Sequence, residues 1–293
     1  MIVPVLAALA CLLLCAWGPG QHLEFAERVH RRRRESLPRD VAQLLAAEKQ
    51  AYCYGSIAAD IINFKAYGGD YNHCHRWTII DEMRELATTP AQEAFIYGYL
   101  SHLAADTIAH NHFVPYHLCR FARTKGLGHL YWELSADRFV PECRWKVIAG
   151  LKSLAEIDEL DDLVNRTVPR KALSMSTNKL IFNHVLLVSE RDSWRNMMTK
   201  LRPMAKVNLP KGFLLNFQKA AVARITLALH PRGFQRLRSL DPNGKRAQKL
   251  AFGLREKIVH RWAPGRMRTE ESRQLALPFL EGMGAPGKTR ELE

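Results

Sequence analysis

Of the 293 residues only six are cysteine, and no pair of them has the C-x-x-C spacing that redox motifs and zinc fingers use. The HExxH motif is missing too, which argues against zinc peptidase chemistry of that type. No run alternates apolar and polar residues as a half-buried strand does, and no internal repeat is visible. The one long apolar run, Ile2 to Ala16, falls short of the roughly 20 residues that a membrane-spanning helix needs. With 47% hydrophobic and 25% charged side chains, the chain is neither disordered, collagenous nor a small disulfide knot. It has material for a sizeable core.

The apolar run has the length of a signal-peptide core, and Ala16 offers a small residue for cleavage. We therefore expect residues 1–16 to be an export signal and the mature chain, periplasmic or secreted, to begin at Trp17. Export leaves Cys53, Cys74, Cys119 and Cys143, which can form two disulfides in three ways or stay as thiols.

Apolar residues at three- and four-residue spacing predict helices at His22–Val29, Val41–Ala58, Ile79–Leu86 and Gln92–Ala109, and later at Leu173–Leu201, Phe213–Leu229 and Ala247–Trp262. The fold expected is an all-α, multi-helix bundle. Charge divides it. Up to Val164 there are 17 basic and 20 acidic residues, whereas the rest holds 26 and 9. Histidines divide the other way, with nine of twelve before residue 130. This predicts a near-neutral catalytic domain at 17–164, a basic helical region at 165–263 that completes or extends it, and a flexible tail at 264–293, where Pro264-Gly265 and Gly282 to Gly287 interrupt the periodicity. The Arg31 to Arg34 run reads as an exposed helix face or loop.

His102 and Asp106 lie four apart in an apolar helix, so both project from one face about a turn apart. Four-residue spacing recurs in His129 and Glu133. Imidazole-plus-carboxylate pairs on separate helices can converge on metal ions in a bundle core, and nitrogen and oxygen donors suit zinc. Further candidates are Asp60, His73 or His75, and His110 or His112. On a continuous helix His110 shares the face of Asp106, whereas His112 lies about 240° round. Trp17-Gly-Pro-Gly-Gln-His22 puts a tryptophan at the expected amino terminus, where a free amine can itself bind a metal.

The order W-G-x-G-x-H, Asp60, a histidine before an aromatic-containing helix, His-x3-Asp-x5-His and His-x3-Glu resembles the zinc-dependent phospholipase C and P1/S1 nuclease superfamily. The resemblance covers about Trp17 to Phe139. It implies an all-helical enzyme holding three zinc ions: the first on Trp17, His22 and Asp106, the second on Asp60, His75, His102 and the bridging Asp106, the third on His112, His129 and Glu133. The family spacing thus selects His112 and His75 over His110 and His73. It implies hydrolysis of a phosphoester by in-line attack of water, with Asp60 orienting or deprotonating the nucleophile and no covalent intermediate. The substrate expected is phospholipid at a membrane surface, cut at the glycerol–phosphate bond, with nucleic acid as the alternative. A non-catalytic helical protein that binds membrane or nucleic acid through its basic half is the reading from another class.

Overall fold

The computed structural model describes residues 17–62, 74–121, 132–133, 135–151, 157–168, 173–179, 209–260 and 265–284. Among these residues there is no strand, and the fold is all-α as expected. No helix among them is long and apolar enough to cross a membrane.

The organising element is a 19-residue helix, Pro90–Ile108 (α6). Its start is written into the sequence. Thr89 accepts a hydrogen bond from the Gln92 backbone N–H at 3.2 Å, Gln92 Oε1 accepts from the Thr89 N–H at 3.2 Å, and Pro90 fills the first position, where no donor is needed. Beyond the first turn nearly every side chain of α6 is buried, most of them apolar with Ser101, His102, Asp106 and Thr107 among them, as befits a helix enclosed by others.

Packed around it are Pro19–Arg31 (α1), Arg33–Ser36 (α2), Arg39–Ala47 (α3), Lys49–Ile61 (α4) and Thr78–Leu86 (α5). Val114–Phe121 (α7), Glu142–Leu151 (α8) and Ile157–Thr167 (α9) follow α6. Lys211–Ala228 (α10), Gly233–Leu237 (α11), Lys245–His260 (α12) and Gly265–Ala276 (α13) come later in the chain. The apolar run Val41–Ala58 is thus two helices, because Glu48 leaves helical geometry (φ −107°, ψ 43°). The break lets Lys49 reach the buried Glu27 of α1 at 2.9 Å.

Two glycines bring α4 unusually close to α6. A Cβ on Gly55 would lie 2.0 Å from the Phe95 carbonyl oxygen, and one on Gly98 would lie 2.2 Å from the Tyr52 carbonyl oxygen. Only hydrogen fits at this crossing. The close approach carries Asp60, in the last turn of α4, towards the middle of α6.

Past Ile108 the helix continues as one π-turn, Ala109–Phe113, before α7. Pro115 has no N–H to give to the carbonyl four residues back, so a regular helix would be broken here. The π-turn absorbs the mismatch.

The basic region is built into the bundle. Helix α10 packs on α6 and α1, and its Arg224 donates to Thr107 Oγ1 at 3.0 Å. Helices α12 and α13 pack on α7. The flexible tail expected from residue 264 is corrected for residues 265–284: α13 runs into a 3-10 turn, Leu277–Leu280, that buries Ala276 and Phe279. A proline at the second position of that turn restarts helical geometry after α13, and the Arg224 guanidinium holds the Met283 and Gly284 carbonyls. Residues 285–293 of that expected tail, residues 1–16 and most of Leu173–Leu201 lie outside the described residues. Cys53, Cys74, Cys119 and Cys143 are not joined in disulfides, and the first three are buried.

Candidate metal centre

Five side chains from four segments meet at the middle of α6. His22 comes from α1, Asp60 from the end of α4, His75 from the segment before α5, and His102 with Asp106 from adjacent turns of α6. All five are buried. Asp106 is the hub: Oδ1 lies 3.3 Å from His22 Nε2, while Oδ2 lies 3.1 Å from His75 Nε2 and 3.2 Å from His102 Nε2. Asp60 stands slightly further off, 3.8 Å from each of the same three nitrogens. The His22 and His102 rings stack with centroids 3.8 Å apart.

Hydrogen bonding prepares these groups as ligands. His102 Nδ1 is 3.0 Å from the Ser56 carbonyl oxygen, which can only accept, so Nδ1 carries the proton and Nε2 keeps its lone pair. Yet His102 Nε2 lies 3.0 Å from His75 Nε2, and neither oxygen of Asp106 nor His22 Nε2 has a hydrogen-bond partner of acceptable geometry among the described residues. Buried polar atoms of this kind are costly unless something pairs them. A cation does so: nitrogen and oxygen ligands about 2.0–2.1 Å from tetrahedral zinc sit about 3.3 Å from one another, which is the spacing around Asp106. Two groups lie close enough together to hold an ion, His22 with His102 and Asp106, and Asp60 with His75 and His102, the second wider because Asp60 stands 3.8 Å from both imidazole nitrogens.

Protonation agrees. Burial would raise the Asp106 pKa, but the His102 and His22 rings outweigh it and hold the carboxyl well below the usual range. Burial, reinforced by His102, lowers the His22 pKa against the opposing pull of Asp106 and Asp60. A charged carboxylate at Asp106 and a neutral imidazole at His22 are the forms that bind a metal.

Of the remaining sequence candidates, Trp17 is fully buried beside the site, its indole donating to the Ala105 carbonyl at 3.3 Å and stacking on Phe113. Glu133 is buried and, with Asp60, adds to the upward shift that burial gives the Asp137 carboxyl. His112 lies on the π-turn with Nδ1 3.0 Å from the Phe279 carbonyl oxygen, and the structure does not bring it into the cluster around Asp106. His110 is the nearer of the two, 4.0 Å from Asp106 Oδ2. His129 and His73 lie outside the described residues.

The residues that sequence reasoning missed are mostly supports. Asp137 caps α1 from a distance, accepting the Gln21 N–H at 3.1 Å, and Gly18 leaves it room, since a Cβ there would lie 1.9 Å from Asp137 Oδ2. Ser56 and Asn243, whose amide donates to the His75 carbonyl at 2.9 Å, fix two ligand-bearing segments. One signal was available for Asp137, which continues the four-residue spacing of His129 and Glu133. Ser56 and Asn243 gave none.

A buried cluster of histidines and carboxylates at zinc spacing, inside an all-helical bundle, narrows the protein class sharply. The family described as zinc dependent phospholipase C matches residues 21–185, more than half of the chain. The chain belongs to the zinc-dependent phospholipase C family. No curated protein and no solved structure matches it significantly. As a zinc-dependent phospholipase C it is a hydrolase whose family takes phospholipid as substrate, and its His/Asp cluster is the chemistry that zinc dependence requires.

Proposed function

We propose that this phospholipase C is exported, holds three zinc ions and cleaves the glycerol–phosphate bond of phospholipids. The observation that carries the reading is the division of the Asp106 carboxylate, one oxygen towards His22 and the other towards His75 and His102. A carboxylate so placed serves two ions at once.

In this reading Trp17, His22 and Asp106 hold one ion, Asp60, His75, His102 and Asp106 a second, and His112, His129 and Glu133 a third. Bound zinc supplies a water acidified to a pKa of about 7 and positive charge against the phosphoryl oxygens. The protein supplies the rest. Asp60, within the same cluster at 3.8 Å from three imidazole nitrogens, would orient the attacking water and accept its proton. The Trp17 indole, hydrogen-bonded to the residue preceding Asp106, anchors position 17 where removal of residues 1–16 would create an amine. An α-amino group, with an ordinary pKa of about 8, is readily deprotonated beside a dication. The basic excess after Val164, 26 against 9, suits an anionic membrane surface.

The test compares the chain begun at Met1 with the chain begun at Trp17, for zinc bound and for hydrolysis of phosphatidylcholine and single-stranded DNA. We expect about three zinc per chain and chelator-sensitive release of diacylglycerol from the shorter form, and less of both from the longer. Equal zinc and activity in the two forms would contradict the role of position 17, and preference for DNA would contradict the substrate.

A further inference from the structure

His110 and His112 flank Asn111 on the π-turn, and each has its Nδ1 held by a segment beyond the family-matched residues 21–185. What holds them differs. The side-chain nitrogen of Gln248, one turn into α12, lies 2.9 Å from the Asn243 carbonyl oxygen and 3.1 Å from His110 Nδ1. A carbonyl oxygen only accepts, so the amide must turn its NH2 to Asn243, and the same NH2 faces His110. An amide nitrogen cannot accept, so His110 Nδ1 accepts, and the neutral ring carries its proton on Nε2. A protonated ring nitrogen cannot coordinate a cation. His112 is the converse: its Nδ1 faces the Phe279 carbonyl oxygen at 3.0 Å, so Nδ1 carries the proton and Nε2 keeps a lone pair.

The support for Gln248 is itself fixed. Asp241 caps α12, accepting the Asn243 and Lys245 N–H groups at 2.9 Å each. Asn111 donates to the Asp241 carbonyl at 2.7 Å. Gly244, at φ +59°, lies so close that a Cβ would be 2.2 Å from the His110 carbonyl oxygen.

We propose that Gln248 is a positioning residue that locks His110 in the Nε2–H tautomer, making His110 an N–H donor at the edge of the metal centre instead of a zinc ligand, while the Phe279 carbonyl leaves His112 free to ligate. The inference rests on the metal-centre reading above. It gives the C-terminal region a role in choosing between neighbouring histidines.

Long-range proton–nitrogen spectra of the histidine-labelled full chain, with and without zinc, read each tautomer directly, with His110 assigned by its loss in His110→Gln. We expect a neutral Nε2–H pattern for His110 in both states, with zinc moving the Nε2 resonances of His102 and His112. Gln248→Glu, whose carboxylate only accepts, should switch His110 to Nδ1–H and make its Nε2 zinc-sensitive. Gln248→Met keeps the shape without the donor and should give mixed tautomers. Zinc shifts at both His102 and His110 in the unmodified chain would overturn the proposal alone. Absence of zinc shifts at every histidine would overturn the metal-centre reading, and the proposal with it.

Discussion

Replacing Asp106 with Asn separates a metal-bridging carboxylate from an ordinary buried ion pair. The side chain is fully buried, and three imidazole nitrogens lie 3.1–3.3 Å from its oxygens. If those rings were protonated partners, removing the charge would leave buried cations uncompensated and cost roughly 3–5 kcal/mol of stability. With neutral rings, an Asn NH2 can donate to the His22 Nε2 lone pair, which accepts from no donor among the described residues. Stability without metal should then stay within about 1 kcal/mol. Zinc binding should behave oppositely. Loss of an outer-shell partner alone weakens metal affinity about 10–100-fold, so loss of a direct ligand should cost at least about 100-fold, or about 2.7 kcal/mol, at each ion it serves. Chemical denaturation of the metal-free proteins gives the first quantity, and competition with a chromogenic chelator gives the second. Asp106→Asn should lose two ions where His22→Asn loses one. A variant that is strongly destabilised without metal, or that loses no more zinc than His22→Asn, would refute the reasoning.

Gly98→Ala should cost roughly 1–3 kcal/mol in urea denaturation and weaken zinc binding, because the new Cβ would force α4 away from α6 and Asp60 away from His102; an unaltered midpoint and affinity would count against the close crossing. His117, buried with its Nδ1 donating to the Phe113 carbonyl, has its pKa lowered by burial from 6.5 to about 3. Its folded form is neutral while the unfolded chain takes up a proton below pH 6.5, so the stability it contributes is whole above that pH and falls by about 1.4 kcal/mol per unit down to about pH 3. Between pH 6.5 and 5 the parent should therefore lose about 2 kcal/mol that His117→Gln does not, and parallel profiles would refute this. Chelation should lower the thermal midpoint, by an amount equivalent to about 2.7 kcal/mol when free zinc had been at 100 times Kd. An unchanged midpoint would mean that zinc does not bind the folded state preferentially.

How much of this was legible in the chain depended on distance along it. The His102 and Asp106 pair could be read from spacing alone, because an α-helix fixes what lies four residues away. The apolar periods that predicted helices at His22–Val29, Ile79–Leu86 and Gln92–Ala109 correspond to α1, α5 and α6 for the same reason. Glu48 could not be read as a break, since nothing local forbids a helix there. Periodicity pointed to His110 over His112, and it could not foresee the π-turn or the contacts that Gln248 and Phe279, more than 130 residues away, make with the two rings. Composition misjudged residues 265–284 because Gly and Pro there shape turns that pack, and Arg224, buried on a distant helix, holds their carbonyls.

The central claim is that Asp106 lies between two ions. Anomalous diffraction at the zinc edge, from crystals of the chain begun at Trp17, tests it most directly. Two peaks flanking the Asp106 carboxylate, one beside His22 and the other beside His75 and His102, is the result predicted. A single peak there, or zinc bound only away from Asp106, would contradict it.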